Sequence, residues 1–360
     1  MAQMKRKSFT PPAHGRGATI NPAGRFEKLA IEPDYEGRDP DEEPSDPRTH
    51  YLRDSSRSAL ASNDSPDIGF NYSLNPYRGC LHGCAYCYAR PTHEYLGFSA
   101  GLDFETRIMV KENAPELLRA ELAKKSWQPQ TIMLSGVTDP YQPIERRLRI
   151  TRRCLEVLAE ARNPVGIVTK NHLVTRDIDL LAALAEHGAC SVHISLPTLD
   201  RELSRVLEPR ASAPARRLRA IEELARAGVP TGVMVAPVIP GLTDHEIPRI
   251  LESAAGAGAV GAAWVMLRLP HGVKDIFEQW LRAHRPERAE RVLARVRDTR
   301  DGKLYDAAFG TRGRGTGRYA EQIGAMFEVA RRRAGLADRR GPLSTAAFRR
   351  PSRGPQLSMF

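Results

Sequence analysis

The chain has no apolar run near the roughly 20 residues that a membrane-spanning helix needs, which excludes a helical membrane protein. No apolar segment follows the basic start Met1-Ala2-Gln3-Met4-Lys5-Arg6-Lys7, so it does not read as a secretory signal, and a cytoplasmic location is expected. Cysteine is sparse: five in 360 residues is too few for a disulfide scaffold. The order G-x4-G-K-[ST] of a phosphate-cradling loop is absent. Aromatic residues make up 6% of the chain and nowhere interleave with basic ones, as a surface that stacks single-stranded bases would require.

A hydrophobic fraction of 41% supports a real core. The net charge of +11 is unevenly placed. Residues 281–360 hold 19 Lys and Arg against 8 Asp and Glu, which accounts for the whole excess and leaves the first 280 residues neutral. A basic C-terminal part can gain affinity for nucleic-acid phosphates by releasing counterions, or can be a solvated Arg-rich tail.

Residues 1–67 are rich in Pro, Gly, Ser and charge and carry no sustained periodicity, so they read as a flexible or wrapping extension. From 68 to 272 short apolar runs alternate with helical stretches. Strands are predicted at 70–74, 131–135, 165–169, 191–196, 231–237 and 262–269, each nearly continuous in Val, Ile, Met and Leu, as buried parallel strands are. Helices are predicted at 114–125, 146–161, 177–187, 215–227 and 245–255, several ending at Gly. This alternation specifies an α/β fold. Six units fit a partial (β/α)6 TIM-like barrel, with a doubly wound open sheet as the alternative. Residues 273–341 read as a helical basic segment, with one helix over 275–297 presenting Phe277, Trp280 and Leu281, and 342–360 reads as a tail. In either architecture, chemistry belongs at the C-terminal ends of the strands.

Three of the five cysteines fall within eight residues, in Asn75-Pro76-Tyr77-Arg78-Gly79-Cys80-Leu81-His82-Gly83-Cys84-Ala85-Tyr86-Cys87-Tyr88-Ala89-Arg90, directly after the first predicted strand. Gly79 and Gly83 permit the loop to curl so that the thiols of Cys80, Cys84 and Cys87 approach one centre. Arg78 and Arg90 are placed to favour thiolates. Structural zinc wants four ligands, usually as two Cys-x2-Cys knuckles, and only one cluster exists here; His82 is an awkward fourth donor inside the loop. A 4Fe-4S cluster held by three cysteines keeps one iron open. Spacing favours iron–sulfur and leaves zinc as a rival.

C-x3-C-x2-C with an aromatic before the last cysteine resembles the signature of the radical SAM superfamily. The Tyr86-Cys87-Tyr88 framing resembles its spore photoproduct lyase branch and that branch's uncharacterised bacterial relatives. The resemblance covers about residues 68–270. It implies an enzyme whose open iron binds S-adenosylmethionine (SAM) and whose electron releases a 5′-deoxyadenosyl radical, chemistry that no side chain can start. It also implies an electron donor of flavodoxin or ferredoxin type. Carried onto this chain, it places the SAM amino group at Ser135, Thr138 and Asp139 and the carboxylate at Lys170. The ribose falls at Ser195 and the adenine on Ile239, which lies in a degenerate glycine motif, while Tyr88 is a further contact beside the cluster. Glu208 and Arg210 are candidates for SAM, substrate or helix capping, and Arg268 for facing substrate. Gly310–Arg318 reads as a flexible basic loop.

The expected function is hydrogen abstraction from an unidentified substrate. One alternative is lyase-like DNA repair, weakened because Ser135-Gly136-Val137 stands where those lyases carry a hydrogen-donating cysteine. Another is a non-enzymatic metal-containing protein that binds nucleic acid through its basic C-terminus.

Overall fold

The computed structural model describes residues 15–26, 48–337 and 341–352; other parts of the expected extension and tail lie outside the described residues. Seven strands form the main sheet: β1 (Leu60–Ser62), β2 (Tyr72–Leu74), β3 (Ile132–Leu134), β4 (Val165–Thr169), β5 (Cys190–Ser195), β6 (Thr231–Val238) and β7 (Gly261–Met266). Their spatial order is their chain order, β1 to β7. β2 to β7 are parallel, and β1 adds an antiparallel edge to β2. A doubly wound sheet reverses its strand order at a switch point. None occurs here, so the winding is that of a barrel, left open because β1 and β7 do not pair. Tyr77–Arg78, Arg107–Val110 and His50–Arg53 form a separate small sheet beside it.

All six predicted strands are present, because sequences such as Val-Gly-Ile-Val-Thr in β4 offer nothing but burial on both faces. The helices between them are α1 (Ala114–Leu122), α2 (Ile150–Ala161), α3 (Ile178–Ala185), α4 (Pro214–Arg226) and α5 (Ile247–Gly256). One helix predicted from 146 is two: Glu145–Leu148 stops at Arg149, whose φ is 51°, before α2 begins. The buried Glu145 carboxylate accepts the amides of Thr151 (3.1 Å) and Arg152 (3.4 Å), a side-chain cap that starts a new helix there. Likewise 275–297 splits into α6 (Val273–His284) and α7 (Ala289–Asp298), since Pro286 cannot continue the helix. The long helix α8 (Gly317–Arg333) went unassigned in the sequence.

Two apolar cores result. The larger joins the sheet to α1–α5 and α8. The smaller packs Phe277, Trp280 and Leu281 of α6 and Val292 of α7 under Cys84, Tyr86 and Ile239. Residues 341–352 lie on the body rather than apart from it: Ser344 N donates to Gly188 O (2.9 Å) and Arg349 N to Ala161 O (2.8 Å). No helix of the described residues is long and apolar enough to cross a membrane.

Residues 15–26 strap the cysteine loop. Ala18 is fully buried, Thr19 reaches Gln279 of α6 (3.1 Å), and Arg25 pairs with Glu94. A Cβ on Gly17 would lie 1.6 Å from the Gly83 carbonyl oxygen, so only glycine seats the strap there. Gly17→Val should cost about 2 kcal/mol or more by forcing backbone from backbone. Limited proteolysis should then cut within 15–26 faster than in the parent, whereas Gly69→Ala, with open space around it, should change neither cutting nor melting.

Candidate active site

The cysteine loop leaves the C-terminal end of β2 and is fixed from three sides. Gln142, fully buried, accepts from Leu81 N (2.9 Å) and donates to Gly79 O (3.2 Å). Arg90 donates to the Cys84 carbonyl through Nε (3.0 Å) and Nη2 (2.9 Å) and pairs with Glu105. Glu105, wholly buried, also accepts the strap amides of Gly17 (3.1 Å) and Ala18 (2.8 Å). Arg78 turns away from the thiols instead, to Asp54 (2.9 Å) and Ser56 (2.6 Å), which corrects its expected role.

Cys80 and Cys84 are buried and Cys87 is half-buried, touching the apolar groups around both of the others. Burial first, and the Glu208 carboxylate next, push the Cys84 thiol well above its ordinary pKa, so only a cationic centre would make it a thiolate. A single tetrahedral zinc would require its sulfurs within roughly 4 Å of each other. Among the described residues no three His, Cys, Asp or Glu side chains are so placed. A cubane spreads its thiolates over separate irons, and this wider, all-sulfur donor set fits it better than one ion. His82 is no fourth ligand: its Nδ1 faces Asp139 (3.4 Å) and its Nε2 faces Asn171 (3.3 Å). Burial opposes its charge, but Asp139 and then Cys80 raise its pKa to about 10.

The next three strand ends adjoin this loop. After β3, Ser135 has a φ of 93° and is half-buried, while Asn75 accepts the amides of Gly136 (3.1 Å) and Val137 (3.0 Å) and shapes the turn. Thr138 donates its hydroxyl to Tyr77 O (2.8 Å). Asp139 accepts from Thr169 Oγ1 (2.7 Å), Lys170 N (2.8 Å) and Tyr141 N (2.9 Å). The polar atoms of these two residues are thus committed to the protein, and of the predicted trio Ser135 is the one whose hydroxyl is not.

At the ends of β4 and β5, Lys170 Nζ donates to Ser195 Oγ (2.6 Å) and Ala236 O (3.2 Å) and pairs with Glu208 (3.2 Å). Glu208 also binds Arg217 and the Tyr86 hydroxyl. Burial would raise its pKa, but Arg217 and Lys170 hold it at about 2, so the carboxylate is charged at any ordinary pH. Lys170 and Ser195 are therefore brought together as predicted candidates, beside Cys84's neighbour Tyr86 (Nζ 5.6 Å from its ring centroid). Ile239 is fully buried in the apolar group that contains Cys84 and Tyr86. Tyr88, half exposed, reaches across the sheet end to donate to Gly136 O (3.0 Å). Arg210 binds the strap carbonyl of Gly15 (3.2 Å). Sequence reasoning missed Asn75, Gln142, Glu105 and Arg217; each acts on backbone or on a charge distant in sequence.

A family model described as the radical SAM superfamily matches residues 74–254. An uncharacterised protein of Mycobacterium tuberculosis (strain ATCC 25618 / H37Rv) is 42% identical over 226 residues, which cover 62% of this chain and 66% of that protein, just under two thirds. The spore photoproduct lyase of Bacillus subtilis (strain 168) is 26% identical over 183 residues, 49% of this chain and 48% of the lyase. Among solved structures, a spore photoproduct lyase variant with bound AdoMet and dinucleoside spore photoproduct superposes with a TM-score of 0.54 at 17% identity, covering 79% of this chain and 80% of that one, a likeness of fold. With the family model spanning half of its length and the cysteine loop at the first parallel strand end, this chain belongs to the radical SAM superfamily, a family of enzymes that use a 4Fe-4S cluster and S-adenosylmethionine.

Proposed function

We propose that Cys80, Cys84 and Cys87 ligate a 4Fe-4S cluster whose open iron takes SAM, and that the chain is a radical SAM enzyme abstracting hydrogen from a substrate not yet identified. The observation that carries this reading is the arrangement of the three thiols: one buried loop, too spread for a single ion, at a parallel strand end beside the Lys170–Ser195–Glu208 network. When bound, the cluster supplies the electron that splits the SAM sulfonium and frees a deoxyadenosyl radical.

The chain's own residues bind and orient. Lys170, kept charged by Glu208, is placed to meet a carboxylate, and its neighbour Ser195 to meet a ribose hydroxyl. Ser135 offers the amino group a hydroxyl that Thr138 and Asp139 cannot, because theirs is a supporting role under the pocket. Ile239 gives the adenine an apolar face, and Tyr88 borders the mouth. A reductant of flavodoxin or ferredoxin type delivers the electron. Lyase-like repair gains no support: Cys154 and Cys190 are sealed in the large core at 0% and 1% exposure and cannot reach a substrate.

Anaerobic reconstitution with iron and sulfide should give a brown protein with about 4 irons per chain, and dithionite should then release deoxyadenosine from SAM. Cys87→Ala should abolish both, and a colourless parent with stoichiometric zinc would refute the reading. Lys170→Met should keep the iron but raise the KM for SAM, since it removes a charge on the cofactor side. Glu208→Gln should cost about 3 kcal/mol or more, because it leaves two buried cations unpaired; thermal melting measures this separately from iron content.

A further inference from the structure

Arg268 stands two residues past the end of β7, at the edge of the sheet that carries the cysteine loop. Its guanidinium lies over the Tyr88 ring, 4.8 Å from the centroid, and Tyr88 follows Cys87 in the chain. The Arg268 Nε is buried without a hydrogen-bond partner, and no carboxylate pairs with this side chain among the described residues. Stacking on tyrosine contributes about 0.5–1 kcal/mol at an exposed site and does not require that a donor be left unsatisfied. A half-buried cation with an orphaned donor costs stability unless a ligand completes it.

The surroundings make the charge imbalance explicit. Arg300 is buried at 2% exposure and donates to the carbonyls of Leu267 (2.8 Å), Arg312 (2.9 Å) and Thr311 (3.0 Å). Burial lowers its pKa, Asp306 offsets part of this, and Arg268 adds repulsion. Arg312 pairs with Asp67, which also accepts Gly310 N (2.7 Å). Asp306 is engaged by Thr311 Oγ1 (2.6 Å) and Ala308 N (2.9 Å). Three guanidiniums thus share two carboxylates that are already committed, and Arg268 is the one left over. The glycine-rich loop expected to be flexible instead docks on the strand end, where Met266 N donates to Gly313 O (2.9 Å), and forms the basic wall of this corner.

We propose that Arg268 receives an oxyanion of the substrate, a phosphate or a carboxylate, beside the cysteine loop. The assignment of that anion to the substrate rests on the radical SAM reading above. A planar guanidinium with free donors is suited to bind either group with two parallel hydrogen bonds. Cys87, Tyr88 and Arg268 then form a continuous line from the reactive centre to the group that anchors the substrate.

The reconstituted chain is treated with phenylglyoxal, and mass spectrometry follows the labelling of each arginine in potassium phosphate, acetate or chloride of equal ionic strength. Phosphate or acetate should slow labelling of Arg268 by about threefold once it exceeds roughly twice its dissociation constant, while exposed Arg147 is labelled alike in all three. The salt that protects identifies the anion. Equal rates at Arg268 in the three salts, or equal slowing at Arg147, overturn the proposal. Arg268→Gln should retain the parent's iron content and melt within about 2 °C of it, since no protein partner is lost; a larger fall makes the residue structural and also overturns it. Deoxyadenosine release from the same preparation tests the radical reading independently, because protection of Arg268 without release would sink that reading and leave the anion site standing.

Discussion

The site depends on the buried ion pair between Glu105 and Arg90. The guanidinium holds the Cys84 carbonyl through two donors, and the carboxylate holds two amides of the strap. Each charge would be costly alone in a fully buried position, and removing one partner of such a pair typically costs about 3–5 kcal/mol. The pair therefore ties three distant stretches, 15–18, 84–90 and 105, into one arrangement or none. Few other devices could hold a loop whose own sequence, with Gly79 and Gly83 at positive φ, has little intrinsic order. The close approach of Gly17 to Gly83 follows from the same requirement, since the carboxylate can reach both strap amides only if the two backbones touch.

A second buried carboxylate, Glu208, organises the opposite wall in the same way. It accepts from Tyr86 on the cysteine loop, Arg217 on α4 and Lys170 at the end of β4, so one charge positions residues from three elements. Arg217 in turn donates to Ser195 O (2.9 Å) and thereby fixes the end of β5. Two excess cations around one anion leave the wall positive, which suits a pocket meant for an anionic cofactor group and an anionic cluster. The Lys170 ammonium is held ready in this wall; its hydrogen bond to Ser195 pre-sets both groups and lowers the ordering cost of binding.

Strand positions and the cysteine loop were legible because each is a local pattern: continuous β-branched runs, and three thiols within eight residues. Lys170 and Ser195 were legible by combining strand ends with a family resemblance, and their 2.6 Å contact agrees with that placement. Thr138 and Asp139 look the same in sequence as Ser135, yet their oxygens are consumed by Tyr77, Thr169 and Tyr141; polar character alone does not say whom a side chain will bind. Gln142 and Glu105 could not be found at all, since their partners are backbone groups that the fold alone brings near. The helix breaks at Arg149 and Pro286 differ in the same respect. Proline is a local signal that was available, whereas the Glu145 cap needs the three-dimensional turn.

The basic excess shows most clearly how folding changes the meaning of a composition. As a sequence property, +11 concentrated in residues 281–360 suggests a tail that attracts polyanions. In the fold, Arg300 is turned inward to carbonyls, Arg312 is neutralised by Asp67, and Arg282, Arg295 and Arg331 pair with acids on or beside their own helices. Much of the charge is thus committed to holding the C-terminal helices and the glycine-rich loop against β7. That commitment is what isolates Arg268: the acids nearest to it, Asp67 and Asp306, are occupied by residues of the basic segment. The C-terminal part therefore acts on the active site indirectly, by withholding counterions from one arginine at its mouth rather than by presenting many to solvent.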